Sequence, residues 1–197
     1  ETNDLLLVAL GRALKRWHGG DANRVTMEGH GRDLDAALPT IDRTVGWFTC
    51  LYPLVLATPG DDLGAQIKTV KESLRAVPAK GFGHGLQAWL RPAAGRPTWA
   101  AAPGAPISFN YLGQFGEESG GRLAFAEESA GTVIGPRVTR HHELDAGAAV
   151  VRGLLGLSLT FHPGRRAAAE MERLLADWRS ELEVVLAHCA GRMDSEK

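Results

Sequence analysis

The hydrophobic period of the chain changes at Gly19-Gly20, and that change limits the folds open to it. Before the glycine pair, Leu6, Leu10, Leu14 and Trp17 recur at helical spacing within Asn3–Trp17. Thr2 or Asn3 can cap this helix, Asp4 suits its positive end, and the glycines end it. After the pair, Val25 and Met27 alternate with Thr26 and Glu28, which is strand spacing. The two periods then keep trading places. Trp47–Leu56 reads as a buried strand interrupted near Pro53, with Trp47 and Phe48 in the core. Pro59-Gly60-Asp61 is a turn into a helix carrying Leu63, Ile67, Val70 and Leu74, which Pro78 closes. A short helix holds Leu86, Trp89 and Leu90, and the Ala/Pro/Gly-rich stretch Pro92–Pro106 is a surface loop. Ile107–Gly113, Leu123–Ala126, Ala146–Val151 and Leu154–Phe161 read as strands, the last two joined at Arg152-Gly153 as a hairpin. Between the first two of these lies a polar loop, Phe115–Gly121, which a larger enzyme could use as a cover or a strand exchange between lobes. Gly164–His188 is a long helix with Met171, Leu174, Trp178, Leu182 and Val185 on one face. Helices and strands mixed in this way, with a late hairpin, predict an α/β (α+β) fold: a mixed sheet covered by helices.

The 197 residues suffice for one domain with a real core or one lobe of a larger enzyme. A formal net charge of −1 gives no electrostatic case for nucleic acid or an anionic membrane surface. No apolar run approaches the roughly 20 residues a membrane helix needs. Cys50 and Cys189 are the two cysteines, far apart and without metal-ligand spacing, so both are expected reduced and the protein cytoplasmic. Most of the 24 glycines sit singly between apolar runs, as in tight turns.

Chemistry concentrates in Arg24-Val-Thr-Met-Glu-Gly-His-Gly-Arg-Asp33. A short strand runs into a turn in which two glycines flank His30, so backbone can approach a ligand closely. The result is a carboxylate at a strand end, beside an imidazole and a guanidinium. From the turn alone, Glu28 is a solvated carboxylate or one paired with Arg32.

Glu28-Gly-His-Gly-Arg-Asp33 resembles the EGHGR(E/D) motif of the epimerization domains of nonribosomal peptide synthetases, members of the condensation-domain superfamily. Other stretches follow in that family's order. Asp4-Leu-Leu-Leu-Val-Ala9 resembles the helix motif opening its second lobe. Arg43-Thr-Val-Gly-Trp-Phe-Thr49 with Tyr52-Pro53 resembles RTVGWFT…YP. Pro78-Ala-Lys-Gly-Phe-Gly-His-Gly85 resembles PxxGxGYG, with His84 where the family usually has Tyr, and Phe109-Asn-Tyr-Leu-Gly-Gln-Phe115 resembles FNYLGQF. The resemblance implies a chloramphenicol-acetyltransferase-like lobe. Residues 1–190 are expected to form the C-terminal lobe of an epimerization domain and 191–197 a tail or linker. The family's HHxxxDG motif lies in the N-terminal lobe, before the start of this chain, so the chain alone is predicted to be inactive.

The implied reaction converts L to D at Cα of an aminoacyl or peptidyl thioester held on a peptidyl carrier protein, an isomerase step in antibiotic biosynthesis. It needs a base on one face, an acid on the other and stabilisation of the enolate oxygen. A well-placed acid or base supplies roughly 10²–10⁴-fold in rate. The resemblance implies that Glu28 is one of the pair and the second His of HHxxxDG the other. Tyr111 is a second catalytic candidate, as a donor to the enolate, although a core aromatic is an equal reading. Asn110 and His30 are candidate substrate-binding residues. Neighbours in a regular strand point to opposite faces, so Asn110 and Tyr111 share a site only if a bulge intervenes. Arg32 and Asp33 are orienting residues. A bidentate Arg32 would lower the basicity of Glu28, so a basic Glu28 predicts that Arg32 points elsewhere or is shared with Asp33. The implied cofactor load is none for this chain, with the phosphopantetheine arm brought by the carrier protein. The implied partners are that carrier, the N-terminal lobe and neighbouring synthetase modules, with neither nucleic acid nor membrane. Two rival readings remain, a condensation-type amide-forming acyltransferase and a non-catalytic carrier-docking lobe. His141-His142 and Asp145 resemble HHxxxDG at a glance, but the Asp comes one residue too early. A metal on them is the minor reading, and no metal is expected.

Overall fold

Strand β1 (Ala22–Gly29) alternates buried Val25 and Met27 with more exposed neighbours, and two later strands pair directly with it, one on each side. The computed structural model describes residues 1–32, 41, 43–95, 97, 104–115, 128–129, 131, 135 and 138–195. Its elements begin with α1 (Thr2–His18), β1, β2 (Cys50–Ala57) and α2 (Leu63–Arg75), then a 3₁₀ turn, Pro78–Gly81. They continue with one helical turn, α3 (Phe82–Gly85), running into the π-type turn Leu86–Leu90, then β3 (Ile107–Phe115), β4 (Leu144–Val151), β5 (Leu154–Phe161) and α4 (Ala168–Ser195). The five strands form one sheet in the order β2-β1-β3-β4-β5. β1, β3 and β4 run parallel, and the two outer strands are antiparallel to their neighbours. The expected mixed sheet with helices is therefore the observed architecture.

One face of the sheet carries the core. Val25, Met27, Leu54, Leu56, Ile107, Phe109, Leu144, Ala146 and Ala148 meet α1, α2 and α4 there. Because α1 packs against β1 and β2 and against both α2 and α4, Leu6, Leu7, Val8, Ala9 and Leu10 are all buried. The predicted stripe of α4 is buried throughout. Trp178 anchors it, donating its indole N–H to the Leu6 carbonyl at 3.1 Å and meeting Phe109 edge-to-face at 6.3 Å. A buried ionic group joins the three long helices. Glu181 takes Arg12 and Arg16, each at 2.5 Å, and Arg12 also reaches Gln66 at 2.6 Å. Each charge has a partner, which burial demands.

Several boundaries differ from the sequence reading. The first helix starts at Thr2, with Glu1 as its N-cap. The second strand starts at Cys50, and Trp47 is 88% exposed rather than core, while Phe48 is half-buried. Pro53 does not interrupt that strand, because β2 is a sheet edge where a missing N–H costs no ladder bond. The strand is half-buried rather than buried, with alternate Leu51 and Val55 open to solvent. Trp89 and Leu90 stand exposed on their short helix. The last helix begins at Ala168, after a turn in which the His162 carbonyl accepts from the Arg165 N–H, and runs on to Ser195. The hairpin forms where Arg152-Gly153 predicted, with φ of 51° and 76°, the left-handed pair that such a two-residue turn requires. The expected strand Leu123–Ala126 lies outside the described residues. Among the described residues, no helix is long and apolar enough to cross a membrane.

Candidate functional site

Strands β1 and β3 are parallel neighbours paired Met27 to Phe109. The next residue on each, Glu28 and Asn110, therefore turns to the face opposite the core, and the two stand side by side. Asn110 Nδ2 donates to Glu28 Oε2 at 2.8 Å. Tyr111 follows on the core side, packed against the core cluster. Beyond it the register slips, from Tyr111 opposite Ala148 to Gln114 opposite Val150, so two residues face one. Gly113 supports this bulge with φ of 87°. β3 resumes its pairing as far as Phe115, and although the bulge falls after Asn110 and Tyr111 instead of between them, both line a single cleft of about 590 Å³. That is within the ordinary range for a small-molecule site.

The turn after Glu28 shows why its glycines are needed. A Cβ on Gly31 would lie 1.6 Å from the Phe48 carbonyl oxygen, and φ there is +64°. The backbone of the 41–49 loop thus rests directly on the turn. His30 Nδ1 accepts from the Arg32 N–H at 3.1 Å and closes the turn, and His30 also lines the cleft. Arg32 turns away from Glu28. It donates to the carbonyls of Ile41 at 2.6 Å and Gly46 at 3.1 Å, and its guanidinium lies 4.6 Å from the centre of the Phe48 ring. Arg32 is thus a clamp on the 41–48 loop, and Glu28 keeps a neutral hydrogen-bond partner in place of a cation. Asp33 lies outside the described residues.

The cleft is also lined by residues that were not among the site candidates. Cys50 and Tyr52 of β2, Arg75 at the end of α2, and Lys80 all line the cleft. Tyr52 and His84 belonged to matched stretches, whereas nothing in the sequence marked Cys50 or Arg75. A neighbouring cavity of about 420 Å³ shares Tyr52 and Val77 with the first and is lined further by Pro53, Gly81 and His84. The Tyr52 ring sits on Gly81, where an added Cβ would come within 1.9 Å of it. Burial, and secondarily the nearby Cys50, push the Tyr52 hydroxyl above its usual 10.0. Burial lowers His84 below its usual 6.5. Ala79, Lys80 and Gly81 have φ of 44°, 48° and 87° in succession. A non-glycine residue in this region costs roughly 1–2 kcal/mol, so the rim between the cavities holds strain.

The pair resembling HHxxxDG is engaged in the scaffold. His142 Nδ1 is 2.8 Å from the Ala105 carbonyl, and Asp145 accepts from Ser108 Oγ at 2.5 Å and from Arg140. Among the described residues, no three His, Cys, Asp or Glu side chains come together as a metal site.

The family described as Condensation domain matches residues 1–197. The chain belongs to the condensation-domain family. It is 37% identical over its whole length to surfactin synthase subunit 1 of Bacillus subtilis (strain 168), of which it spans 6%. It is likewise 37% identical over its whole length to bacitracin synthase 3 of Bacillus licheniformis, of which it spans 3%. Among solved structures, the epimerization domain from the third module of tyrocidine synthetase B matches 96% of this chain. The identity is 35% and the TM-score 0.86, and the match covers 42% of that domain's chain. The condensation domain that releases the chain from the enacyloxin polyketide synthase is similar in fold, at 20% identity and TM-score 0.63 over 93% of this chain and 35% of its own.

Proposed function

We propose that this condensation-family chain is one lobe of an epimerization domain, converting L to D at Cα of an aminoacyl or peptidyl thioester on a carrier protein. One observation carries the reading. Likeness to an epimerization domain is 35% identity with TM-score 0.86, against 20% and 0.63 for the enacyloxin condensation domain. Residues 1–190 make up the C-terminal lobe, and 191–197 lead out of it. The second acid-base group comes from the other lobe, and the phosphopantetheine arm comes from the carrier. This chain binds no cofactor of its own.

In this reading the substrate thioester enters the cleft beside Glu28. One group removes the Cα proton, and the electron pair moves into the thioester carbonyl to form an enolate. The group on the opposite face then returns a proton to Cα. The two groups end in exchanged protonation states and are reset through solvent. Glu28 is one of them. Tyr111 lines the cleft two residues before the bulge glycine, where its hydroxyl can donate to the enolate oxygen. His30 contacts the substrate from the turn. Arg32 orients the site by holding the 41–48 loop.

The test uses the chain within its complete domain, with a panel of L-aminoacyl thioesters on the carrier. Thioesters are cleaved after incubation and their chirality is measured. A D fraction rising to a constant ratio supports epimerization. Retained L configuration, with a new amide when a second loaded carrier is added, supports the condensation reading that the family match also allows. Neither product, with carrier still bound, leaves a docking lobe.

A further inference from the structure

We infer that Asn110 is a positioning residue that anchors one oxygen of Glu28 so that the other serves as the proton acceptor, and is not a substrate-binding group. The inference rests on the epimerization reading and assigns Glu28 its direction of proton transfer. The carboxamide Nδ2 carries only donors, and it is directed at Glu28 Oε2 from 2.8 Å. A donor aimed at a carboxylate oxygen favours the charged form of that carboxylate. The geometry is fixed by backbone. The two residues lie one step past the Met27–Phe109 pair of adjoining parallel strands, which sets them side by side within reach of each other. The other oxygen, Oε1, has no hydrogen-bond partner among the described residues, and Glu28 lines the cleft. One oxygen is therefore anchored and the other is left to take a proton.

The residue type matters as much as the position. A cation here would form an ion pair and weaken Glu28 as a base, and Arg32 is directed away to the Ile41 and Gly46 carbonyls. A carboxylate here would force two like charges to share a proton. A carboxamide donates without doing either. The other titratable groups around the cleft come from every neighbouring element. They are Glu1 and Asp4 at the start of α1, His30 on the turn, Cys50 and Tyr52 of β2, Arg75 of α2, Lys80 on the rim and Tyr111 of β3. None of these is changed by replacing Asn110, so a comparison of variants isolates the one contact.

The experiment compares wild type with Asn110→Asp, Asn110→Ser and Asn110→Gln in the complete domain. The first readout is a ¹³C NMR titration of the Glu28 carboxyl, assigned by its loss in Glu28→Gln. This readout needs no turnover. Asn110→Asp is expected to raise the Glu28 midpoint by about one pH unit or more over wild type, because adjacent carboxylates cannot both ionise freely. The second readout is the rate of D-product formation against pH. Asn110→Asp shifts the acidic limb upward by a similar amount. Asn110→Ser lowers kcat roughly 10- to 100-fold with the carrier KM within about twofold, as for loss of a hydrogen bond to a charged group. Asn110→Gln, which keeps the amide, restores part of kcat. An unmoved Glu28 midpoint in both Asn110→Asp and Asn110→Ser overturns the inference. So does a loss confined to KM, which is the signature of substrate binding. Absence of D product in wild type refutes the epimerization reading itself and is distinguished by the titration, which still reports the contact.

Discussion

Replacing Gly31 by Ala tests whether the glycine turn is built around the close approach of Phe48. Two costs add. The first is conformational: φ at Gly31 is +64°, where an L side chain costs roughly 1–2 kcal/mol. The second is steric: the new Cβ would lie 1.6 Å from the Phe48 carbonyl oxygen and 2.7 Å from its carbon. Backbone cannot yield as a flexible side chain does, so the loop must lift. Lifting it breaks the Arg32 bonds to Ile41 and Gly46 and the contact with Phe48. Buried bonds to a charged group are worth about 1.5–3 kcal/mol each, and solvent exposure around Arg32 reduces the pair to about 2 kcal/mol together. The expected loss is about 3–4 kcal/mol. Gly60 is the internal control, with φ of +62° and no atom within 4 Å of where a Cβ would sit. Gly60→Ala therefore carries only the conformational cost of roughly 1–2 kcal/mol. Urea unfolding of wild type and both variants, read from midpoint and slope, gives the two losses. A difference of about 2 kcal/mol is expected, and equal losses in the two variants would refute the close-approach argument.

Other consequences follow from burial. Trp178→Ala removes a fully buried indole that bonds the Leu6 carbonyl and is expected to cost about 3–5 kcal/mol in the same unfolding assay, whereas Trp47→Ala, at an 88% exposed side chain, should change stability by less than about 0.5 kcal/mol. Burial disfavours charged His84, so its NMR titration midpoint should lie below 6.5 in the folded protein. The unfolded chain then takes up this proton at a higher pH than the folded one. Stability should fall as pH drops below 6.5 toward the folded midpoint, and His84→Gln should flatten that part of the pH dependence.

The long amphipathic elements were legible because period alone decides them. The stripe from Met171 to Val185 is buried throughout, and Arg152-Gly153 forms its hairpin. The 47–49 segment was not legible. Apolar Trp47 and Phe48 read as strand core, yet Phe48 backbone is committed to Gly31 and the Trp47 side chain is directed outward. Local composition carries no record of such a tertiary contact. Pro53 misled for a related reason, since edge or central placement of a strand depends on sheet order. At the site, the motifs placed Glu28, His30, Asn110 and Tyr111 around one cleft. The partner of Glu28 could not be read from them, because Asn110 meets it only through the parallel pairing of β1 with β3. The lining by Cys50 and Arg75 likewise depends on where β2 begins and α2 ends.

The most direct test of the central claim is exchange of the substrate Cα proton with deuterated solvent. The complete domain, carrying the loaded carrier, is compared as wild type and Glu28→Gln. The account predicts deuterium at Cα accompanying D product in wild type. In Glu28→Gln, exchange from one starting enantiomer should fall by roughly 10²-fold or more. A wild type that folds and binds its carrier but shows no Cα exchange, or a Glu28→Gln variant that exchanges both enantiomers at the wild-type rate, would contradict it.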